Sequence, residues 1–379
     1  MLTYRFRIYP TPFQARIMEE TLETCRKLYN AMLADRIEYR AGFYTQKKML
    51  VGLKQNDKYL KSIHSQVLQD VVLRLDKAYQ AFFAGLSRYP RFRRSGRYNS
   101  FTYPQSGFKP EGDCIRLSMI GKVRVRLHRK VAGAIKRVTV IKDIDQWFVA
   151  LLVDGTTTEK QSGDGTIGVD MGISNIIALS DGTLIDNPYF LNRSVERITS
   201  LQRQLSHKKR GSSNRVKARL SLAKAWRKVR RQRDDFAHKL SDGLTKENQV
   251  MVFEDLKIGN MVKNHSLASA IMDAAWGKLR QFTAYKAERR GGRVILVNPC
   301  GTSQRCSGCG ETVPKDLSTR THRCPRCGLV IDRDVNAARN ILKAGLEQAR
   351  VEERPLLVRR RRISKFAPMK QEACEFTRR

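Results

Sequence analysis

The stretch Thr166–Gly172, TIGVDMG, constrains this chain more than any other. Three β-forming residues, Thr166, Ile167 and Val169, run into a single carboxylate, Asp170, and then into Gly172. So apolar a strand belongs inside a sheet, with its one charge delivered to the turn at its end. Alone, such a carboxylate reads as a turn residue or a helix cap. Two acids downstream change its weight. A second apolar strand, VMVFEDL, reaches a carboxylate at Glu254, and Asp334 opens a helical run, DVNAARNILKA, just after a four-cysteine cluster.

Phosphodiester hydrolysis requires charge to be neutralised at both the attacking and the leaving oxygen. Two divalent cations about 4 Å apart do both, and they need hard, anionic oxygen ligands. Carboxylates on three separate elements, Asp170, Glu254 and Asp334, can converge on such a pair. Asp255 and Asp332 compete for the second and third places, and Asp334 as a plain helix N-cap is the simpler alternative.

The cysteines point to a second metal. Cys306-x-x-Cys309 and Cys324-x-x-Cys327 stand fourteen residues apart. Each pair puts two thiolates on one tight turn, and two facing turns make a tetrahedral sulfur cage for structural zinc, closed to substrate. Cys300 and His322 are the nearby alternatives. The other cysteines, Cys25, Cys114 and Cys374, are scattered, which suits a reducing compartment better than a disulfide framework.

The formal net charge of +37 over 379 residues argues for a polyanionic partner, most plausibly nucleic acid. No run of 18 apolar residues marks a membrane span, and the N-terminus lacks a signal peptide's apolar core. A cytoplasmic protein, in the prokaryotic cytosol or nucleoid, is expected.

Along the chain, Leu2 to Tyr9 alternates as a half-buried strand with a basic side. Thr11-Pro12-Phe13-Gln14 reads as a helix start with a capping box, and a second helix is predicted from about Ile63 to Leu86. YPRFRRSGRYNSFTYPQ then interleaves aromatics with Arg91, Arg93 and Arg94, a pattern suited to bases and phosphates. Further strands follow, so the first 150 residues read as a small β-barrel or sheet with a helical insertion. After a polar linker comes an α/β region. Two long helices, roughly 191–207 and 214–246, carry Lys208, Lys209, Arg210, Arg215, Lys217, Arg227, Arg230 and Arg231 as a candidate polyanion surface. Leu220, Ala223 and Trp226 form the apolar stripe expected for the second of these. One helix around Leu267 to Glu288 and a strand at Arg293 to Val297 complete the region.

GVDMGI, FEDL, TSQRCSGCG…CPRCG and DRDVNAARN, in this order and at these separations, resemble the TnpB proteins of bacterial insertion sequences. These are compact relatives of type V CRISPR effectors. The segments FRIYPTPFQ and YPRFRR…YNSFTYP resemble the family too, so the likeness covers residues 1 to 345. It implies an α/β multidomain protein: a nuclease domain of RNase H-like (RuvC) fold with an inserted zinc ribbon, and an N-terminal wedge-like β-barrel carrying a helical recognition insertion. The corresponding boundaries are 1–10 and 89–153 for the barrel, 11–88 for the helices and 154–165 for the linker. The nuclease takes 166–299 and 331–345, the ribbon 300–330, and a basic disordered tail 346–379.

Residue by residue, the resemblance implies that Asp170, Glu254 and Asp334 are the catalytic acids, binding Mg2+ or Mn2+. Asp334 is preferred over Asp332 because it adjoins the VNAA run. Cys306, Cys309, Cys324 and Cys327 match the zinc ribbon. The implied activity is RNA-guided cleavage of double-stranded DNA: a guide RNA pairs with target beside a short flanking motif, and one RuvC-like site cuts. A monomer is expected. Gly301 departs from the family pattern, where a bulkier residue is usual. A cleavage-deficient RNA-guided regulator would lack one of the three acids, and all three are present. The six histidines contain no His-x-His pair of the kind used by single-strand transposases. A miniature CRISPR-associated effector is the nearest competing reading.

Overall fold

The computed structural model describes residues 1–155, 161–316 and 319–353. The chain divides into two compact units: Met1–Lys160 with Leu191–Gln232, and Gln161–Phe190 with Arg233–Arg379.

The first unit opens with β1 (Leu2–Tyr9) and then a helical insertion: α1 (Pro12–Tyr39), α2 (Phe43–Asn56), α3 (Lys58–Lys61) and α4 (Ser65–Phe83). Helix α1 begins as its sequence predicts. The Thr11 hydroxyl accepts from Gln14 N, the Gln14 side chain accepts from Thr11 N, and Pro12 takes the first helical position. Strands β2 (Ser100–Tyr103), β3 (Phe108–Glu111), β4 (Cys114–Leu117), β5 (Gly121–Arg126), β6 (Ala134–Asp143) and β7 (Gln146–Asp154) join β1 in one antiparallel sheet of order β2-β6-β7-β1-β5-β4-β3. From Gln146 to Val153, strand β7 alternates between half-buried and buried residues, as a one-faced sheet requires. The expected barrel is thus an open seven-stranded sheet: β2 and β3 are its edges and do not pair with each other among the described residues. The helices α1 and α4 share one apolar core with the sheet, built on Phe6, Leu33, Leu68, Phe101 and Val149.

The remainder of this unit is α5 (Val195–Ser206) and the start of α6 (Ser213–Glu247). Here the sequence expectation needs correction. Leu220 and Trp226 of the predicted apolar stripe are 37% and 40% exposed, whereas Arg227 and Val229 are buried. The cause lies in the turn between β6 and β7. Arg227 Nη1 bonds Asp145 at 2.5 Å, Arg230 Nη2 bonds Asp143 at 2.8 Å, and Lys224 pairs with Asp145 at 2.8 Å. Burial alone would raise Asp145, but Lys224 and Arg227 outweigh it and hold the carboxyl down at about 2.

The second unit holds β8 (Gly165–Asp170), β9 (Asn175–Leu179), β10 (Leu184–Asp186), β11 (Asn248–Glu254) and β12 (Arg293–Val297), in the sheet order β10-β9-β8-β11-β12. The β8–β9 and β9–β10 pairs are antiparallel, while β8–β11 and β11–β12 are parallel. A parallel step needs a crossover between the strands; the chain between β8 and β11 includes α6, and that between β11 and β12 includes α7 (Ile258–Met261), α8 (His265–Ala274) and α9 (Trp276–Arg289). The single helix expected over Leu267–Glu288 is broken. Ala275 adopts a left-handed φ of 53°, costing roughly 1–2 kcal/mol for a residue with a Cβ, and the break brings Trp276 into the core.

A short hairpin, β13 (Thr321–Arg323) with β14 (Val330–Asp332), leads into α10 (Arg333–Glu353). This helix lies against β8 so closely that a Cβ on Gly168 would stand 2.1 Å from Ala338 O. It also runs past 346, where the sequence reading began the tail. Ala349 is buried and no proline intervenes before Pro355. Residues 354–379 lie outside the described range, as do 156–160 of the expected linker.

Candidate active site and metal centre

Strand register brings the first two acids together. Phe253 of β11 pairs with Val169 of β8 in parallel register, so Glu254 and Asp170 follow as neighbours on adjacent strands. In-register residues of parallel strands point to the same face, about 4.8 Å apart at the backbone. Glu254 is buried and its Oε1 accepts from the Thr302 hydroxyl at 2.5 Å. Asp255 points elsewhere: its side chain is 56% exposed and pairs with Arg280 at 3.1 Å.

Capping distinguishes the two aspartates at the third position. Asp332 Oδ1 accepts from Asp334 N at 2.8 Å and from Val335 N at 3.2 Å, which makes Asp332 the N-cap of α10. Asp334 is released from that duty. It sits buried in the first turn, with Arg333 Nε donating to its Oδ1 at 3.0 Å and Arg320 at 3.9 Å from Oδ2. A Cβ built on Gly172 would lie 3.9 Å from Asp334 Oδ2, so the turn after Asp170 and the start of α10 adjoin. The Trp276 indole donates to Gly172 O at 3.1 Å and fixes that turn.

Burial pushes the Asp170 carboxyl well above its ordinary value, and the charges of Glu254 and then Asp334 add to the push, with Arg333 opposing. Glu254 is also raised by burial, against the pull of the Thr302 hydroxyl. At Asp170, burial and the charges of Glu254 and Asp334 together outweigh Arg333 and disfavour the ionised carboxylate. Trp276 and Thr302 were not found from sequence. Both act across about a hundred and about fifty residues of chain respectively, and no local pattern announces such partners.

The cysteine cluster fits structural zinc. Sγ atoms of Cys306 and Cys327 lie 3.6 Å apart, those of Cys309 and Cys324 3.5 Å, and all four lie within 4.8 Å of one another. Zinc–sulfur bonds of about 2.3 Å in a tetrahedron span roughly 3.8 Å between sulfurs. Gly310 and Gly328 close the two knuckles at φ 79° and 73°, each donating its N–H back to the first cysteine of its pair. The N–H of Cys327 draws the Cys324 thiol down to about 6. Leu329 N–H favours the Cys327 thiolate too, but the sulfurs of Cys324 and Cys306 outweigh it and push Cys327 up to about 12. Neither exposed Cys300 nor buried His322 joins the group.

The basic candidates divide. Lys208, Lys209, Arg210 and Lys217 are exposed, as are Arg91, Arg93 and Arg94. Arg93 stacks its guanidinium over Tyr29. Arg215 is half-buried, donating to Leu205 O and Lys208 O. Arg227, Arg230 and Arg231 are engaged with the β6–β7 turn.

Three family models match the chain: "Cas12f1-like, TNB domain" over 276–341, "Probable transposase" over 143–265 and "Helix-turn-helix domain" over 1–43. A Streptomyces pristinaespiralis protein named "Putative RNA-guided DNA endonuclease" is 35% identical over 358 residues, which cover 90% of this chain and 89% of that protein. An Escherichia coli (strain K12) protein named "Putative RNA-guided DNA endonuclease InsQ" is 32% identical over 369 residues, covering 90% and 92%. Among solved structures, a chain of the "Cryo-EM structure of the Cas12f1-sgRNA-target DNA complex" shares the fold with a TM-score of 0.56 over 86% of this chain and 82% of that one, at 13% identity. The architecture is thus a mixed α/β fold of the kind seen in Cas12 effectors, and the chain belongs to the TnpB family.

Proposed function

We propose that this protein is an RNA-guided DNA endonuclease of a transposable element, cutting double-stranded DNA at Asp170, Glu254 and Asp334. The observation that carries the reading is that Asp170 and Glu254 follow one register pair of β8 and β11, while the charges of Glu254 and Asp334 both act on the Asp170 carboxyl. The sheet order, with two antiparallel and two parallel pairs, supports an RNase H-like (RuvC) nuclease. The names of the relatives supply the substrate class.

In this reading the three carboxylates hold Mg2+ or Mn2+, which when bound activates water and neutralises the leaving oxygen. The chain's own work is positional. β8 and β11 set Asp170 beside Glu254, Asp332 takes the cap so that Asp334 stays available, and Trp276 holds the Gly172 turn. The cysteine ribbon holds zinc and stays structural. The first unit, its open sheet standing as the wedge and α1–α4 as the recognition insertion, binds the guide RNA and reads the flanking motif. Base pairing between guide and target supplies the sequence choice.

The test is the purified protein with its co-purifying RNA. One structured RNA species should be recovered, and DNA matching its guide and bearing the flanking motif should be cut only when that RNA is present. Asp170→Ala should abolish cutting and leave RNA-dependent DNA binding intact. Bulk cellular RNA with unguided or absent cutting would overturn the reading.

A further inference from the structure

Thr302 lies in the loop between β12 and the first cysteine knuckle. Its Oγ1 stands 2.5 Å from Glu254 Oε1 and 3.1 Å from Pro299 O. A hydroxyl has one hydrogen to donate, and the shorter contact to the anionic oxygen is the stronger claim on it. The backbone that carries this hydroxyl is itself gripped by α10. Asn340 Nδ2 donates to Thr302 O at 2.8 Å and to Arg305 O at 2.7 Å. Asn336, fully buried, donates to Arg305 O at 2.7 Å and accepts from Ser307 N at 2.9 Å.

Residues four apart lie on one face of a helix, so Asn336 and Asn340 form a two-rung clamp. The clamp begins two residues after Asp334. One helix therefore bears one acid of the site directly and, through two amides and a loop, the hydroxyl that holds another. Just beyond the clamp, Cys306 begins the first metal knuckle, which ties down the far end of the same loop.

A glutamate so placed needs such a hold. Glu254 stands beside Asp170 on the neighbouring strand, and like charges at that spacing drive flexible side chains apart. Strand register fixes the Glu254 backbone but leaves its side-chain torsions open. Among the described residues, the Thr302 hydroxyl is the hydrogen-bond donor that holds this carboxylate.

We infer that Thr302 is a positioning residue: anchored by Asn340, it fixes the carboxylate of Glu254 in register with Asp334 for a divalent cation. This rests on the reading of Glu254 and Asp334 as cation ligands. Placement errors of about 1 Å around a reacting centre cost on the order of a hundredfold in rate, so the hydroxyl's loss should be visible.

The experiment compares Thr302→Val, Thr302→Ser and Glu254→Gln in the full-length protein with its guide RNA. Four quantities are read: Mn2+ affinity from the spin resonance of free Mn2+, zinc content, DNA binding, and single-turnover cleavage over a Mg2+ series. Thr302→Val should keep its zinc and its DNA binding, bind Mn2+ about tenfold or more weakly, and cut on the order of ten- to a hundredfold slower at limiting Mg2+. Thr302→Ser, which retains the hydroxyl, should track the wild type. A Thr302→Val protein that binds Mn2+ and cuts like the wild type, while Glu254→Gln is dead, overturns the positioning role. So does one that loses zinc and DNA binding together with cleavage, since Thr302 would then be structural. If Glu254→Gln itself binds Mn2+ and cuts normally, the assignment of the acids is what fails.

Discussion

Two aspartates separated by one residue do different work in this chain, and hydrogen bonds tell them apart. Asp332 spends its Oδ1 on two backbone N–H groups at the start of α10, leaving Asp334 to face the Gly172 turn. Residue type alone cannot make that distinction, because either residue suits a cap, and in the sequence only the family resemblance favoured Asp334. Asp170 has a consequence for stability. Its folded carboxyl titrates well above the ordinary value of about 3.9, so the folded chain retains a proton that the unfolded chain has released. Folding is therefore progressively weakened as pH rises from the unfolded value through the raised one, and the penalty is complete above it. Asp170→Asn should remove the penalty. In a chelator at pH 7.5 it should melt above the wild type, while added Mg2+ should raise the melting temperature of the wild type and not of the variant. A lower melting temperature for Asp170→Asn in the chelator would contradict the account.

At the scale of elements, legibility followed the range of the forces involved. The capping box of α1, the alternation of β1 and the apolar runs of β8, β11 and β12 are local patterns, and each element stands where its residues predict. Helices α2 and α3 were not seen. Only Gln46 and Leu50 of α2 are buried, and exposed Tyr44, Met49, Val51 and Leu53 blur any stripe. The inward face of α6 was misjudged because its partners, Asp143 and Asp145, lie about eighty residues away. That correction separates two groups of basic residues by experiment. Arg227→Ala should lower the melting temperature, since it strips a buried partner from Asp145, and leave RNA affinity nearly unchanged. Asp145 is held at about 2, so its stabilisation is full above the unfolded value and fades as pH falls from about 4 toward 2; the melting difference between variant and wild type should shrink over that window. Replacing Lys208, Lys209 and Arg210 together should spare stability and weaken RNA binding. The four-cysteine cluster is a further separable element. Cys324→Ser should lose zinc and solubility together, and a folded, soluble, zinc-free variant would contradict a structural role.

For the whole molecule, the excess of 73 lysines and arginines over 36 acids sets the terms on which any nucleic acid is bound. Contacts to phosphate release counterions, so affinity should fall linearly with salt on logarithmic axes, by about 0.7–0.9 per contact. The triple Lys208, Lys209 and Arg210 replacement should flatten that slope by about 2–3, and an unchanged slope would remove these residues from the interface. Charge supplies affinity without chemistry, however. In the proposed function, the chemistry depends on carboxylates supplied by β8, β11 and α10, and on the third being Asp334. The most direct measurement is guided DNA cleavage by Asp334→Asn beside Asp332→Asn. Asparagine caps a helix nearly as well as aspartate, so Asp332→Asn should fold and cut like the wild type. Asp334→Asn should bind guide RNA and target normally and cut nothing. Cutting by Asp334→Asn at the wild-type rate, or its loss only in Asp332→Asn, would contradict the site described.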